Sequence, residues 1–480
     1  MNRAAAAIVR GITQLGPQYL PFADAATEEL PLGRLMRLSL FQVTVGMAAV
    51  LMIGTLNRVM IVELNVPSWI VALMLALPLL SAPLRTLVGF RSDHHRSVLG
   101  WRRVPFIWFG TMSQFGGFAI MPFALLILSG DTTGPIWIGD VAAALAFLLV
   151  GAGLHTVQTV GLALATDLAP ERARPKVVAL LCAMLLFGMA ASALFFGLVL
   201  RHFSEIRLIQ VVQGSAVITI VLNGVALWQQ EPRNMTPVVS QRRVGFFDAW
   251  RNFSTASRTR RRLLAIALGT AGFSMQDILL EPYGGKILKL PVGATTALTA
   301  MLAVGGGIGL LLAARRLNRG ADPHRVAGFG ALIGVIAFAF VMFAAPLASA
   351  ETFGLGVGLI GLGGGLFAHG TLTASMAAAR PEDRGLALGA WGAAQATAAG
   401  LAIALSGLIN DVGGALAMRG AFGDALADPA TGFSLVYGCE VLLLLATIVV
   451  IGPLSYRRRS IAEPLLDAVS PIRFNPGGLP

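Results

Sequence analysis

The chain has 480 residues, 56% hydrophobic and only 12% charged, with a mean hydropathy of +0.75. A soluble globular chain carries about 25% charged residues, so a set of soluble domains is excluded. Long continuous apolar runs, in place of alternating strand-length segments, exclude an outer-membrane barrel. The net charge of +12 sits in short loops between the apolar runs, where it reports membrane topology and not nucleic-acid binding.

In chain order, residues 1–37 form a cytoplasmic N-terminal segment with no apolar core for a signal peptide. It carries Arg3 and Arg10, then Tyr19, Phe22 and Leu30, and either lies on the membrane surface or serves as a linker. Runs of the roughly 20 apolar residues that a span requires fall at 38–62, 69–90, 104–128, 136–165, 176–200 and 208–229. These make an N-terminal six-helix bundle over 38–230. A basic cytoplasmic linker, 231–262, follows. A second bundle over 263–455 holds runs at 263–283, 292–314, 325–347, 352–378, 385–409 and 433–454, and 456–480 is a cytoplasmic tail. The two cysteines, Cys182 and Cys439, lie in apolar runs with no metal-ligand spacing.

The loops alternate in charge. Arg91, Arg96, Arg102 and Arg103, the arginines of the 231–262 linker, Arg315 to Arg325, and Arg457 to Arg459 all fall on one side of a twelve-span count. Asp131, Asp140, Glu351, Asp411, Asp424 and Asp428 fall on the other. The Lys/Arg bias places both termini and the linker in the cytoplasm. The chain also repeats itself: the Pro170-Glu171-Arg172 turn between runs four and five is matched by Pro381-Glu382-Asp383-Arg384 between runs ten and eleven. Two six-helix halves joined by a long loop is the plan of the major facilitator superfamily, so the expected fold is an all-α polytopic membrane protein of that kind.

No catalytic constellation is present: there is no P-loop, nucleophile elbow or zinc motif. The candidate functional residues are instead ionisable groups at membrane depth, which are functional hypotheses by default. His155 and His369 fall in the corresponding runs four and ten, with Gln158 close to the first. Two readings compete for them: a neutral imidazole bonds a neighbouring helix, or it is an axial ligand to the metal of a tetrapyrrole. His94-His95 reads as a solvated loop pair. Asp277 and Glu281, one turn apart on one face of run seven, form with Gln276 a polar patch that is either a proton relay or solvated at the outer interface. Arg58 and Glu63 are spaced i,i+5, poorer than i,i+4 for a helical pair, so Arg58 reads as snorkelling to the interface. Arg85 has no such exit except through the cytoplasmic face. Asp93 with Arg102 and Arg103 is a weak match to the superfamily loop signature, because Arg96 to Trp101 intervene.

Longer runs are more specific. Leu20-Pro21-Phe22-Ala23-Asp24, Gly54 to Leu64, His95 to Gly110 and Gln114 to Pro122 resemble the PucC/LhaA family, the light-harvesting complex assembly proteins of purple phototrophic bacteria. The likeness covers nearly the whole chain and is densest over 20–135. The N-terminal region looks more like the LhaA branch, tied to the core antenna LH1, than the PucC branch, tied to LH2. The resemblance implies a non-enzymatic assembly factor in the bacterial inner (intracytoplasmic) membrane. It would hold or deliver bacteriochlorophyll to antenna α and β polypeptides, with the reaction centre and membrane lipids as further partners. It raises the weight on His155, His369 and Gln158 as pigment contacts, since chlorophyll magnesium accepts imidazole. The alternative is a secondary transporter of a small amphipathic solute.

Overall fold

The computed structural model describes residues 30–80, 101–130, 135–170, 173–232, 257–378 and 384–455. Among them are twelve major helices: α1 (Leu32–Glu63), α2 (Ser68–Leu80), α3 (Val104–Leu128), α4 (Ile136–Leu168), α5 (Arg174–Val199) and α6 (Glu205–Leu227). The second set is α7 (Arg258–Lys286), α8 (Val292–Asn318), α9 (Pro323–Ala344), α10 (Ala350–Ala378), α11 (Arg384–Met418) and α12 (Ala430–Ser455). Eleven of these are long and apolar enough to cross a membrane. The exception is α2, whose predicted continuation to residue 90 lies outside the described residues. Helix α7 begins at Arg258, five residues before its apolar run, so the last arginines assigned to the linker are helical.

A helix in hydrocarbon gains nothing by hiding apolar side chains from water, so association depends on close backbone packing. The glycines supply it. A Cβ on Gly330 of α9 would lie 2.6 Å from the carbonyl oxygen of Gly363 on α10. Helices α3 and α4 meet in the same way through Gly110 and Gly153. Between the halves the long contacts are α2 with α11 and α5 with α8. Gly407 rests on the backbone of Ser68, and Gly197 on that of Gly293, at distances no larger residue could match. The first helix meets the second half mainly through its outer portion, which touches α7 and α8.

Two helices depart from α geometry, both at that end. Helix α1 is regular through Ala49, then π-helical over Val50–Leu56 and Val59–Glu63. It closes on Asn65, held at φ +55°, with the Val66 N–H donating to Met60 O at 2.8 Å. Helix α7 is regular through Ser274, tightens to a 3-10 turn over Met275–Ile278, and resumes over Leu280–Lys286. Pro282 explains the break: it has no N–H, so the carbonyl four residues back, Ile278, has no helical donor. A π segment or an interrupted helix at membrane depth is tolerated only where other groups satisfy the freed backbone.

Candidate functional site

The freed carbonyl organises the site. Asn57 of α1, wholly buried, donates its Nδ2 to Ile278 O at 2.8 Å. The next residue, Arg58, is 3% exposed; it donates through Nη1 to Glu63 Oε1 at 2.6 Å and through Nη2 to Leu290 O at 3.2 Å, just before α8. Glu281 is also 3% exposed and accepts from Thr299 Oγ1 of α8 at 2.5 Å. Its carboxylate lies against the α1 backbone at Gly54, where a Cβ would strike Oε1. From α12, the fully buried Glu440 accepts the Gln276 N–H at 2.6 Å, and Gln276 Nε2 donates to Asp277 Oδ1 at 2.5 Å. Helices α1, α7, α8 and α12 thus meet in one buried polar seam at the end of the bundle carrying the acidic loops. It continues to α2 and α11, where the Trp69 N–H donates to Asp411 Oδ2 and Asn410 Nδ2 donates to Ser68 Oγ.

Unpaired donors and acceptors are both buried here; the donors are Arg58 Nε, Thr55 Oγ1 and Thr296 Oγ1. Glu281 Oε2, Gln276 Oε1, Glu440 Oε2 and Asn57 Oδ1 are buried without a hydrogen-bond partner. Water bridging these groups would satisfy both kinds.

The structure revises two expectations. Arg58 does not snorkel, because a π turn places residues five apart one above the other, as an α turn does residues four apart. The i,i+5 spacing is therefore the favourable one across Val59–Glu63. Asp277 and Glu281 do not share an α-helical face, because the 3-10 turn ends between them; Asp277 turns to Gln276 and Glu281 to Thr299. Nor is Glu281 solvated.

His155 and Gln158 lie three residues apart on α4, hence on one face, both half-buried. His369 is half-buried on α10. Helix α4 packs on α1, α2, α3 and α5, and α10 on α7, α8, α9 and α11. The histidines are not gathered into one clamp. A neutral imidazole suits magnesium, and each would be a separate single-ligand contact. Near His369, Trp391 Nε1 of α11 donates to Thr371 Oγ1 at 3.2 Å.

At the opposite, basic end, Arg102 and Arg103 both reach Asp167 Oδ2 at the end of α4, the second at 3.1 Å. Glu231 caps the start of α3: its carboxylate accepts the N–H groups of Arg102, Arg103 and Val104 at 2.8–3.0 Å. Asp93 and Arg85 lie outside the described residues.

Sequence reasoning grouped Gln276 with Asp277 and Glu281 but passed over Asn57 and Glu440, and also Asn223, which accepts from Thr44 Oγ1 and donates to Thr111 Oγ1 to join α1, α6 and α3. A signal existed for Glu440, a carboxylate midway along an apolar span.

Comparison with known proteins settles the family. The family model described as "PUCC protein" matches residues 55–459. The chain belongs to the PucC family. It is 56% identical over 419 residues to Protein PucC of Rhodovulum sulfidophilum, covering 86% of this chain and 92% of that one. It is 50% identical over 458 residues to Protein PucC of Cereibacter sphaeroides, covering 95% and 98%. A more distant relative in Rhodobacter capsulatus, 29% identical over 418 residues (86% and 93% covered), is named bacteriochlorophyll synthase 44.5 kDa chain. Among solved structures, the chain is similar to a bacterial homologue of the lysosomal transporter Spinster, with a TM-score of 0.65 at 14% identity over 87% of this chain and 95% of that one. It is also similar to the nucleoside transporter NupG, with a TM-score of 0.63 at 14% identity over 89% and 100%. The fold of this PucC-family chain is therefore that of the major facilitators, as a multi-pass membrane protein.

Proposed function

We propose that this protein is a non-enzymatic assembly factor for the photosynthetic light-harvesting antenna, holding or delivering bacteriochlorophyll to α and β polypeptides in the bacterial inner membrane. Membership of the PucC family over residues 55–459 carries this reading, and the dense N-terminal resemblance directs it to the core antenna. The sidedness of the basic loops supports cytoplasmic termini. His155, His369 and Gln158 are proposed as pigment contacts, with the two imidazoles as magnesium ligands.

The test is affinity purification from native photosynthetic membranes, read by absorbance and by protein mass spectrometry. Stoichiometric bacteriochlorophyll with antenna polypeptides is the expected result, and the polypeptides recovered identify the antenna served. His155→Leu and His369→Leu should each lower the pigment retained. A colourless, partner-free protein, with detergent loss controlled, overturns the reading.

One observation favours a second reading, alternating-access transport. The polar ties between the halves gather at one end of the bundle, on α1, α2, α7, α8, α11 and α12, and such a seam can part. Flux assays on the colourless protein would then follow.

A further inference from the structure

At the basic end, α1, α3 and α6 enclose a groove of about 1600 Å³, remote from the seam. Three of the chain's seven tryptophans line it: Trp101, Trp108 and Trp228. Trp108 is 41% exposed and Trp228 66%. Tryptophans gather where a membrane protein meets the headgroup layer. Beyond them the wall runs along α6 through Val225 and Val221, 44% and 55% exposed, toward the depth of the membrane. One end of the groove is interfacial and the other is hydrocarbon.

Arg34, Arg37, Asp167 and Glu231 are the charged residues of its lining. Both acidic residues in the lining are already engaged: Asp167 by Arg102 and Arg103, and Glu231 by the three N–H groups that begin α3. Arg37, from the second turn of α1, donates Nη2 to the Trp228 carbonyl oxygen at 2.9 Å, a neutral acceptor. Its Nε–H is buried with no acceptor. Among the described residues no anion completes the guanidinium, which sits beside an apolar wall and an aromatic rim.

We infer that this groove is a binding site for one anionic phospholipid, its phosphate at Arg37 and an acyl chain along Val225 and Val221. A soluble anion would leave the apolar wall unused. A zwitterionic lipid would bring its own cation toward the arginine, whereas an anionic headgroup makes a charge-assisted bond.

Gly224 gives a clean probe. It lies in the groove, and a Cβ there meets nothing within 4 Å. Gly224→Leu fills the groove while sparing every polar tie and favouring the helix. The full-length protein would be purified in mild detergent and its retained phospholipids counted by mass spectrometry. Its thermal midpoint would then be followed on adding phosphatidylglycerol, phosphatidylcholine or glycerol 3-phosphate. Wild type should retain phosphatidylglycerol and be stabilised by it alone. Arg37→Gln and Gly224→Leu should each retain about tenfold less, the loss of one charge-assisted bond or of the chain's seat. Arg207→Gln, at the far end of α6, should match wild type. Equal stabilisation by phosphatidylcholine or by glycerol 3-phosphate overturns the proposal. So does undiminished phosphatidylglycerol in Gly224→Leu, a variant whose folding does not depend on Arg37.

Discussion

Asn57 Nδ2 donates to the Ile278 carbonyl oxygen at 2.8 Å, across the boundary between the halves. That carbonyl is available because Pro282 has no N–H to offer it. A defect in one helix is thus repaired by a side chain from another, 221 residues away, and the repair joins the halves. Asn57→Leu should lower stability by about 1–3 kcal/mol, the cost of a buried unpaired acceptor. Pro282→Ala restores the helical donor, so the double variant should regain much of that loss. Thermal unfolding of the four proteins in detergent closes the cycle; strictly additive losses would refute the link.

The Arg58–Glu63 pair makes a similar prediction. Glu63→Leu strands a guanidinium that is 3% exposed and should cost about 3 kcal/mol. Adding Arg58→Leu should recover part of it, because two apolar groups avoid an unpaired charge. The same unfolding measurement reads this, and a double variant worse than Glu63→Leu would argue against the pair.

Glu440 separates shape from acidity. Glu440→Gln keeps an acceptor for the Gln276 N–H and should stay close to wild type. Glu440→Leu orphans that donor and should cost about 1–3 kcal/mol. Hydrogen exchange across Met275–Ile278 should quicken in the leucine variant only.

Asp277→Asn combined with Glu281→Gln discriminates the two functional readings. Amides preserve size and the bond from Thr299, but they cannot shuttle protons. Antenna assembly, read as antenna absorbance of the membranes at constant protein level, should persist. Its collapse would count against the assembly reading, and loss of proton-coupled flux alone would support transport.

The fold was largely legible. Apart from the second run, described only to residue 80, and α11, which runs nine residues past its predicted end, the apolar runs and the helices agree to within several residues, because a bilayer demands about 20 apolar residues with every backbone bond made inside the helix. The site was legible only in part. Asp277, Glu281 and Arg58 stood out as charges at depth, yet their partners did not. The i,i+5 spacing misled because periodicity assumes an α turn, and the π turn of Val59–Glu63 is stabilised by burial that spacing does not record. Pro282 was visible as a break, but Asn57 was one amide among apolar neighbours.

Composition, loop charge and the long family runs determined by themselves that this is an all-helical multi-pass membrane protein of the PucC family. They did so because hydrophobic span and loop sign are local properties of the chain. The tertiary structure alone decided which buried polar groups meet. Those bonds join residues such as Asn57 and Ile278, or Gln276 and Glu440, that only helix packing brings within 3 Å of one another.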